Sequence, residues 1–237
     1  MRTISTSLLF AAATSLCAQS ADSDMLAGMS ALRKDDHATA EQAFTRAVSV
    51  DPNNSKTWYY RGVNRLGKGD LTGALQDFDR AVTLTPDDVH SLLRRAELRA
   101  RLGAEQSATA DLQRILGLRP TGPAAEHALL HLGHFAMIRN DLVAAKSHYD
   151  QLIQIAPYNA FGWCDRGIAL AAMHQDEDAL SDLERALELD PTLDQAHVQM
   201  ATIYFRMDRR QDACAALHLA HDLGDKSVEE MILINCE

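Results

Sequence analysis

The sequence predicts an all-α, right-handed α-solenoid of six helix-turn-helix repeats closed by a C-terminal helix, and three columns of residues predict it. Small residues stand at Gly28, Gly62, Ala96, Gly133, Gly167 and Ala201, 34 residues apart except for one step of 37 between Ala96 and Gly133. Alanines at Ala40, Ala74, Ala108, Ala145, Ala179 and Ala213 keep the same period and the same slip. Four residues beyond each stands a large apolar side chain: Phe44, Phe78, Leu112, Tyr149, Leu183 and Leu217. Prolines close five of the units, at Pro52, Pro86, Pro120, Pro157 and Pro191. A period in this range marks a stacked architecture in which no single hairpin buries its apolar face alone.

Composition agrees with helices. Alanine and leucine are frequent, glycine and proline are sparse, and straight-chain residues lose little freedom in a helix. The formal net charge of −10, with no run of Lys or Arg, repels phosphates and anionic lipid and argues against a nucleic-acid binder.

Along the chain, Arg2, the apolar run Leu8 to Leu16 and the small residues of Cys17-Ala18-Gln19-Ser20 read as a signal peptide over 1–18, cleaved after Ala18. Lipidation of Cys17 is the alternative, disfavoured because Thr14-Ser15-Leu16 precede it. Beyond Gln19 no apolar stretch is long enough to span a bilayer. The mature chain is therefore expected to be exported, periplasmic or extracellular, and soluble. The hairpins are predicted over 21–54, 55–88, 89–122, 126–159, 160–193 and 194–224. In each, the small residue sits where the first helix meets the second, and the large apolar residue fills the space beside that contact. Ala74 and Ala81 allow close stacking on the next hairpin, and Pro86 fixes the turn into it. The slip falls in Arg119-Pro120-Thr121-Gly122-Pro123, expected as a longer turn with Pro123 opening a helix. After Asp222, Gly224 reads as a helix stop and Asp225 or Ser227 as an N-cap, so 225–237 is expected to form a capping helix.

Arginine and aspartate co-occur. Repeats two, three and five carry Arg61, Arg95 and Arg166 before the small residue, and Asp77, Asp111 and Asp182 at the matching place on the second helix. The other repeats have Ala27, Leu132 and Met200 facing Ala43, His148 and Ala216. This predicts three structural ion pairs, each worth about 1 kcal/mol or less if partly exposed.

The columns resemble the tetratricopeptide repeat family, whose units of about 34 residues place Trp, Gly/Ala, Tyr, Ala, Phe, Ala and Pro at fixed offsets. Trp58 through Pro86 follows that pattern closely, as does Trp163 through Pro191. The resemblance covers residues 21 to about 222. It diverges at the ends, where Asp24 and His197 replace the tryptophan. It implies protein–protein interaction, and its secreted relatives imply a disulfide between Cys214 and Cys236, two free thiols being the alternative. Closing that loop contributes ~3 kcal/mol in an oxidising compartment. Cys164 then has no partner. The family's set of Lys, Asn and Arg for acidic peptide C-termini is absent.

In such a solenoid the first helices line the concave face. Their outward positions are Tyr59, Val63 and Leu66; His90, Leu93, Arg94 and Glu97; His127, Leu130, His131, His134 and Met137. Phe161, Cys164, Asp165 and Ile168, then Val198, Thr202 and Phe205, complete the strip. It is apolar with scattered polar groups, the chemistry that docks an extended peptide or helix. The expected partner is a protein or peptide of the cell envelope. His127, His131 and His134 fall on one helix face, which raises a metal site or a proton-responsive groove as the alternative. No phosphate loop, nucleophile elbow or His-Glu-x-x-His motif occurs, so neither catalysis nor a cofactor is expected.

Overall fold

The structure, a computed structural model, describes residues 20–236, so the expected signal segment 1–18 and the lipidation alternative at Cys17 lie outside the described residues. All regular structure among the described residues is helical, in two compact units that meet in sequence at Leu118 and Arg119. The first unit holds α1 (residues 20–32), α2 (His37–Val50), α3 (Ser55–Gly67), α4 (Leu71–Leu84), α5 (Val89–Arg101) and α6 (Glu105–Leu118). The second holds α7 (Pro123–Ile138), α8 (Leu142–Ile155), α9 (Ala160–Ala172), α10 (Asp176–Leu189), α11 (Asp194–Arg206) and α12 (Arg210–Asp222). It ends in a 3-10 turn (Lys226–Val228) and α13 (Glu229–Asn235). Consecutive helices pair as hairpins, and within each unit the hairpins stack, α2 on α3 and α4 on α5, α8 on α9 and α10 on α11. This is the helix-pair packing of an α-solenoid.

Each hairpin turns in the same way. One residue takes the left-handed conformation, at Asp35, Gly69, Gly103, Asn140, His174 and Asp208, with φ between 57° and 79°. These positions repeat with the period and slip of the other columns. Beside each, an N–H reaches back five residues to close the first helix, as in Asp70 to Arg65 and Gln175 to Leu170. Asp36, Asp70 and Asp141 then cap the second helix, each carboxylate accepting from the N–H three residues on.

Size complementarity fills the core. The Ala40 to Ala213 column is fully buried throughout, as are Phe44, Phe78, Leu112, Tyr149, Leu183 and Leu217. A Cβ on Gly62 would lie 2.8 Å from the Phe78 ring and one on Gly133 only 2.3 Å from Tyr149, so an aromatic here demands glycine. Where the partner shrinks to Leu112 or Leu217, alanine replaces the glycine at Ala96 and Ala201, whereas Gly167 stays glycine because a Cβ there would lie 2.9 Å from Leu183 and 3.1 Å from the Ala179 carbonyl. The same exchange occurs between hairpins: Leu152 stands where repeat two has Ala81, and it packs beside Gly162.

The three inserted residues do not lengthen a turn. The link 119–122 has four residues, as have 51–54, 85–88, 156–159 and 190–193. Instead α7 has 16 residues against 13 in α3, α5, α9 and α11, so the fourth hairpin begins at Pro123 rather than 126. Gly122, at φ 87°, makes the bend, and Pro123 enters the helix with φ already set. An extra helical turn satisfies its own backbone, which a longer loop would leave to water.

The cap differs from a single helix over 225–237. Gly224, at φ 108°, ends α12, and Asp225 caps the 3-10 turn through the Ser227 N–H. Val228 inserts into the core, and Cys214 and Cys236 are joined by a disulfide with Cα atoms 5.6 Å apart.

Candidate functional site

The arginine–aspartate pairs are bidentate. Arg61 donates from Nε and Nη2 to Asp77 at 2.9 and 2.8 Å, Arg95 to Asp111 at 2.8 and 2.6 Å, and Arg166 to Asp182 at 2.7 and 2.8 Å. They are more buried than the sequence led us to expect, with the Asp77 side chain only 1 % exposed. The sequence reading missed the second partners. Arg65 also binds Asp77, Arg99 binds Asp111 and Asp79, and Arg166 reaches Asp150 at 2.8 Å. In repeats two and five the tryptophan completes the arrangement. Trp58 Nε1 donates to the Pro52 carbonyl and Trp163 Nε1 to that of Pro157, both at 2.9 Å. Arg61 and Arg166 lie 4.8 and 4.9 Å above the two rings. These groups hold the hairpins together and leave the first-helix surfaces free for other work.

In the first unit, Tyr59, Val63 and Leu66 pack half-buried against the cluster of Ala74, Phe78 and Leu98. Arg94 bonds Glu97 at 3.0 Å and also meets Tyr59, while Leu93 is half-buried and His90 exposed. A pocket of about 410 Å³ opens between the starts of α3 and α5, lined by Ser55, Lys56, Tyr59, Tyr60, Thr85, Asp88 and His90. Only Tyr59 and His90 of these were expected. Ser55, Lys56, Thr85 and Asp88 sit in turns and first helical turns, and Tyr60 at a place where the other repeats share no residue type, so the 34-residue columns carry no signal for them.

In the second unit, Phe161 stays 54 % exposed, and Leu130, His131, Asp165 and Ile168 are half-buried. His134 Nε2 lies 2.7 Å from an Asp165 carboxylate oxygen, and this hydrogen bond holds the imidazole above its usual range against the opposing pull of burial. The proposed three-histidine metal site does not assemble. The rings of His131 and His134 stand 6.5 Å apart and nearly perpendicular, and His134 is turned to Asp165. Among the described residues no three His, Cys, Asp or Glu side chains are placed to share an ion. Cys164 is buried and unpaired, and burial pushes its thiol up to about 12, away from nucleophilic chemistry. His148, standing where other repeats have the paired aspartate, keeps Nδ1 buried without a partner. Among the described residues no helix is long and apolar enough to cross a membrane.

The sequence matches the tetratricopeptide repeat family over 25–89 and 64–123, and again over 160–193. This chain belongs to the tetratricopeptide repeat family. Among curated relatives it is 30% identical to the Protein SGT1 homolog of Oryza sativa subsp. japonica over 38% of this chain and 24% of that protein. It is 25% identical to the small glutamine-rich tetratricopeptide repeat-containing protein 2 of Saccharomyces cerevisiae, over 42% of this chain and 29% of the other. The chain thus spans under a third of those relatives, and the match is to the repeats. Among solved structures, Pseudomonas aeruginosa pilF superposes with a TM-score of 0.75 at 12% identity, covering 91% of this chain and 97% of the other. PilW, described as a type IV pilus biogenesis factor, gives 0.74 at 17% identity over 90% and 98%. YrrB, described as a TPR protein with an unusual peptide-binding site, gives 0.65 at 17% identity over 82% and 100%. At these identities the likeness is one of fold. A tetratricopeptide scaffold of this kind is suited to protein–protein interaction.

Proposed function

We propose that this tetratricopeptide protein is a non-catalytic scaffold of the periplasm or cell envelope that binds a protein or peptide along the first helices of its hairpins. The observation that carries the reading is the state of those helices. Their packing contacts are met by the alanine, glycine and arginine–aspartate columns, yet Tyr59, Leu93, Leu130, Phe161 and Ile168 stay partly open to water beside scattered polar groups. An apolar strip of that kind gains by covering itself with an extended or helical segment. Export is supported by the signal-like sequence 1–18 and by the Cys214–Cys236 disulfide, a bond that persists in oxidising compartments.

The test is a crosslinking pull-down from the native envelope, analysed by mass spectrometry, with the mature protein beside a His90→Glu/Phe161→Glu variant. Both positions are exposed, so the variant keeps its fold. Partners held by the first and lost by the second support binding along the first helices. Partners indifferent to the change refute it.

A second reading has one specific observation in its favour. The His134–Asp165 pair lies among the proposed binding residues of the second unit, so its charge state would tune what that strip accepts. Partner retention that differs between pH 6 and pH 8 in the natural protein, and not in His134→Asn, is its expected outcome.

A further inference from the structure

The C-terminal cap carries a second surface, independent of the first-helix strips. Met231-Ile232-Leu233-Ile234 puts four apolar residues in succession into a helix of seven. Successive residues of a helix point about 100° apart, so four in a row cannot all face inward. Met231, Ile232 and Cys236 pack onto the core formed with α12, while Leu233 and Ile234 remain 60% and 69% exposed. The disulfide from Cys236 to Cys214 pins the end of α13, so the helix cannot roll these residues under. A covalent link thereby holds two large aliphatic side chains in water.

The surroundings say what would cover them. Glu230 lies on the same face as Leu233 and Ile234, by its spacing of three and four residues. Glu229 and Leu233, with His218, His221 and Ile232, line a hollow of about 300 Å³ between α12 and α13. Asp222 and Asp225, just before α13 in sequence, add to this acid, which Lys226, Arg210 (donating to the Asn235 carbonyl) and His221, 3.5 Å from Glu229, offset only in part. A second copy of the chain on this face would bring acid rim against acid rim, and an anionic bilayer would be repelled in the same way.

We propose that the outer face of α13 is a docking site for a basic amphipathic helix of a partner protein, whose apolar side chains cover Leu233 and Ile234 and fill the neighbouring hollow. Its Lys or Arg residues would pair with Glu229, Glu230, Asp222 and Asp225.

Fluorescence anisotropy tests this with three labelled peptides of about 18 residues, or five helical turns. The first has a leucine stripe flanked by lysine, the second has glutamate for lysine, and the third has serine for leucine. The first is expected to bind saturably at low salt and the other two to fail. Binding should weaken roughly tenfold or more in Leu233→Ser/Ile234→Ser and in Glu229→Lys/Glu230→Lys, as for truncation of interface anchors. It should persist in His90→Glu/Phe161→Glu, which separates this site from the first-helix strips. A photo-crosslinking version of the first peptide, mapped by mass spectrometry on the unaltered protein, should label α12 and α13. Absence of binding, equal binding of the glutamate or serine peptide, labelling elsewhere, or a dimer in sedimentation that Leu233→Ser abolishes would each overturn the proposal.

Discussion

Asp77 has almost no contact with water and serves two guanidinium groups, Arg61 and Arg65. Removing one partner of a buried charge pair leaves the other uncompensated, at about 3–5 kcal/mol, whereas replacing both with apolar groups is often nearly neutral. Asp77→Ala is therefore expected to lower stability by several kcal/mol in urea denaturation, and Arg61→Leu/Asp77→Leu to recover most of the loss. Additive losses in the double variant would refute this account of the pair. His134 offers the complementary case of a charge beside water. Asp165 raises its pKa in the folded state above the reference value of 6.5, so the extra stability is fully present below that pH. It is lost as pH rises through the folded value. The difference in melting temperature between the natural protein and His134→Asn should shrink as pH rises from 6 to 8.5. A constant difference would mean that the pair contributes packing alone. The co-occurrence of arginine and aspartate in three repeats made the primary pairs legible. Arg65 and Arg99 share one column and Asp79 and Asp150 another, but each column carries its charge beside only two of the three pairs, so co-occurrence did not mark them.

Within a hairpin, the turn imposes a left-handed residue six times, and only Gly69 and Gly103 meet that demand at no steric cost. Asp35, Asn140 and Asp208 are polar side chains that tolerate it. His174 is the poorest fit, and it is exposed, so its side chain has little packing to lose. His174→Gly should raise stability by about 0.5–1 kcal/mol, the relief of backbone strain exceeding the greater freedom glycine gives the unfolded chain. A lower melting temperature would show that the histidine makes up its conformational cost. The period places every hairpin, but the slip does not tell a lengthened turn from an added turn of helix. Proline and glycine mark both a long turn and a helix start, and only the packing of α7 decided that the added residues are helical.

Across the molecule, the hairpins of the second unit stack in sequence, and α13 packs on α12 and is tied to it by the disulfide. The loop between Cys214 and Cys236 spans 22 residues, enough for a contribution of ~3 kcal/mol through the unfolded chain. In the chain lacking residues 1–18, alkylation under denaturing conditions should label one cysteine, Cys164, before reduction and three afterwards. Native protein should resist labelling at Cys164 because its thiol is buried and held protonated. Three labels before reduction would remove the staple and with it the fixed orientation of α13. The sequence by itself determined the architecture, because each of six units must place a small residue, an alanine and a large apolar residue at the same points for neighbouring helices to touch. Tertiary structure alone decided which side chains remain open to a partner. The pocket at Lys56, Tyr60 and Thr85, the turning of His134 toward Asp165 and the outward Leu233 and Ile234 have no column of their own. Their exposure is what packing leaves over, and it exists only once neighbouring helices have taken their places.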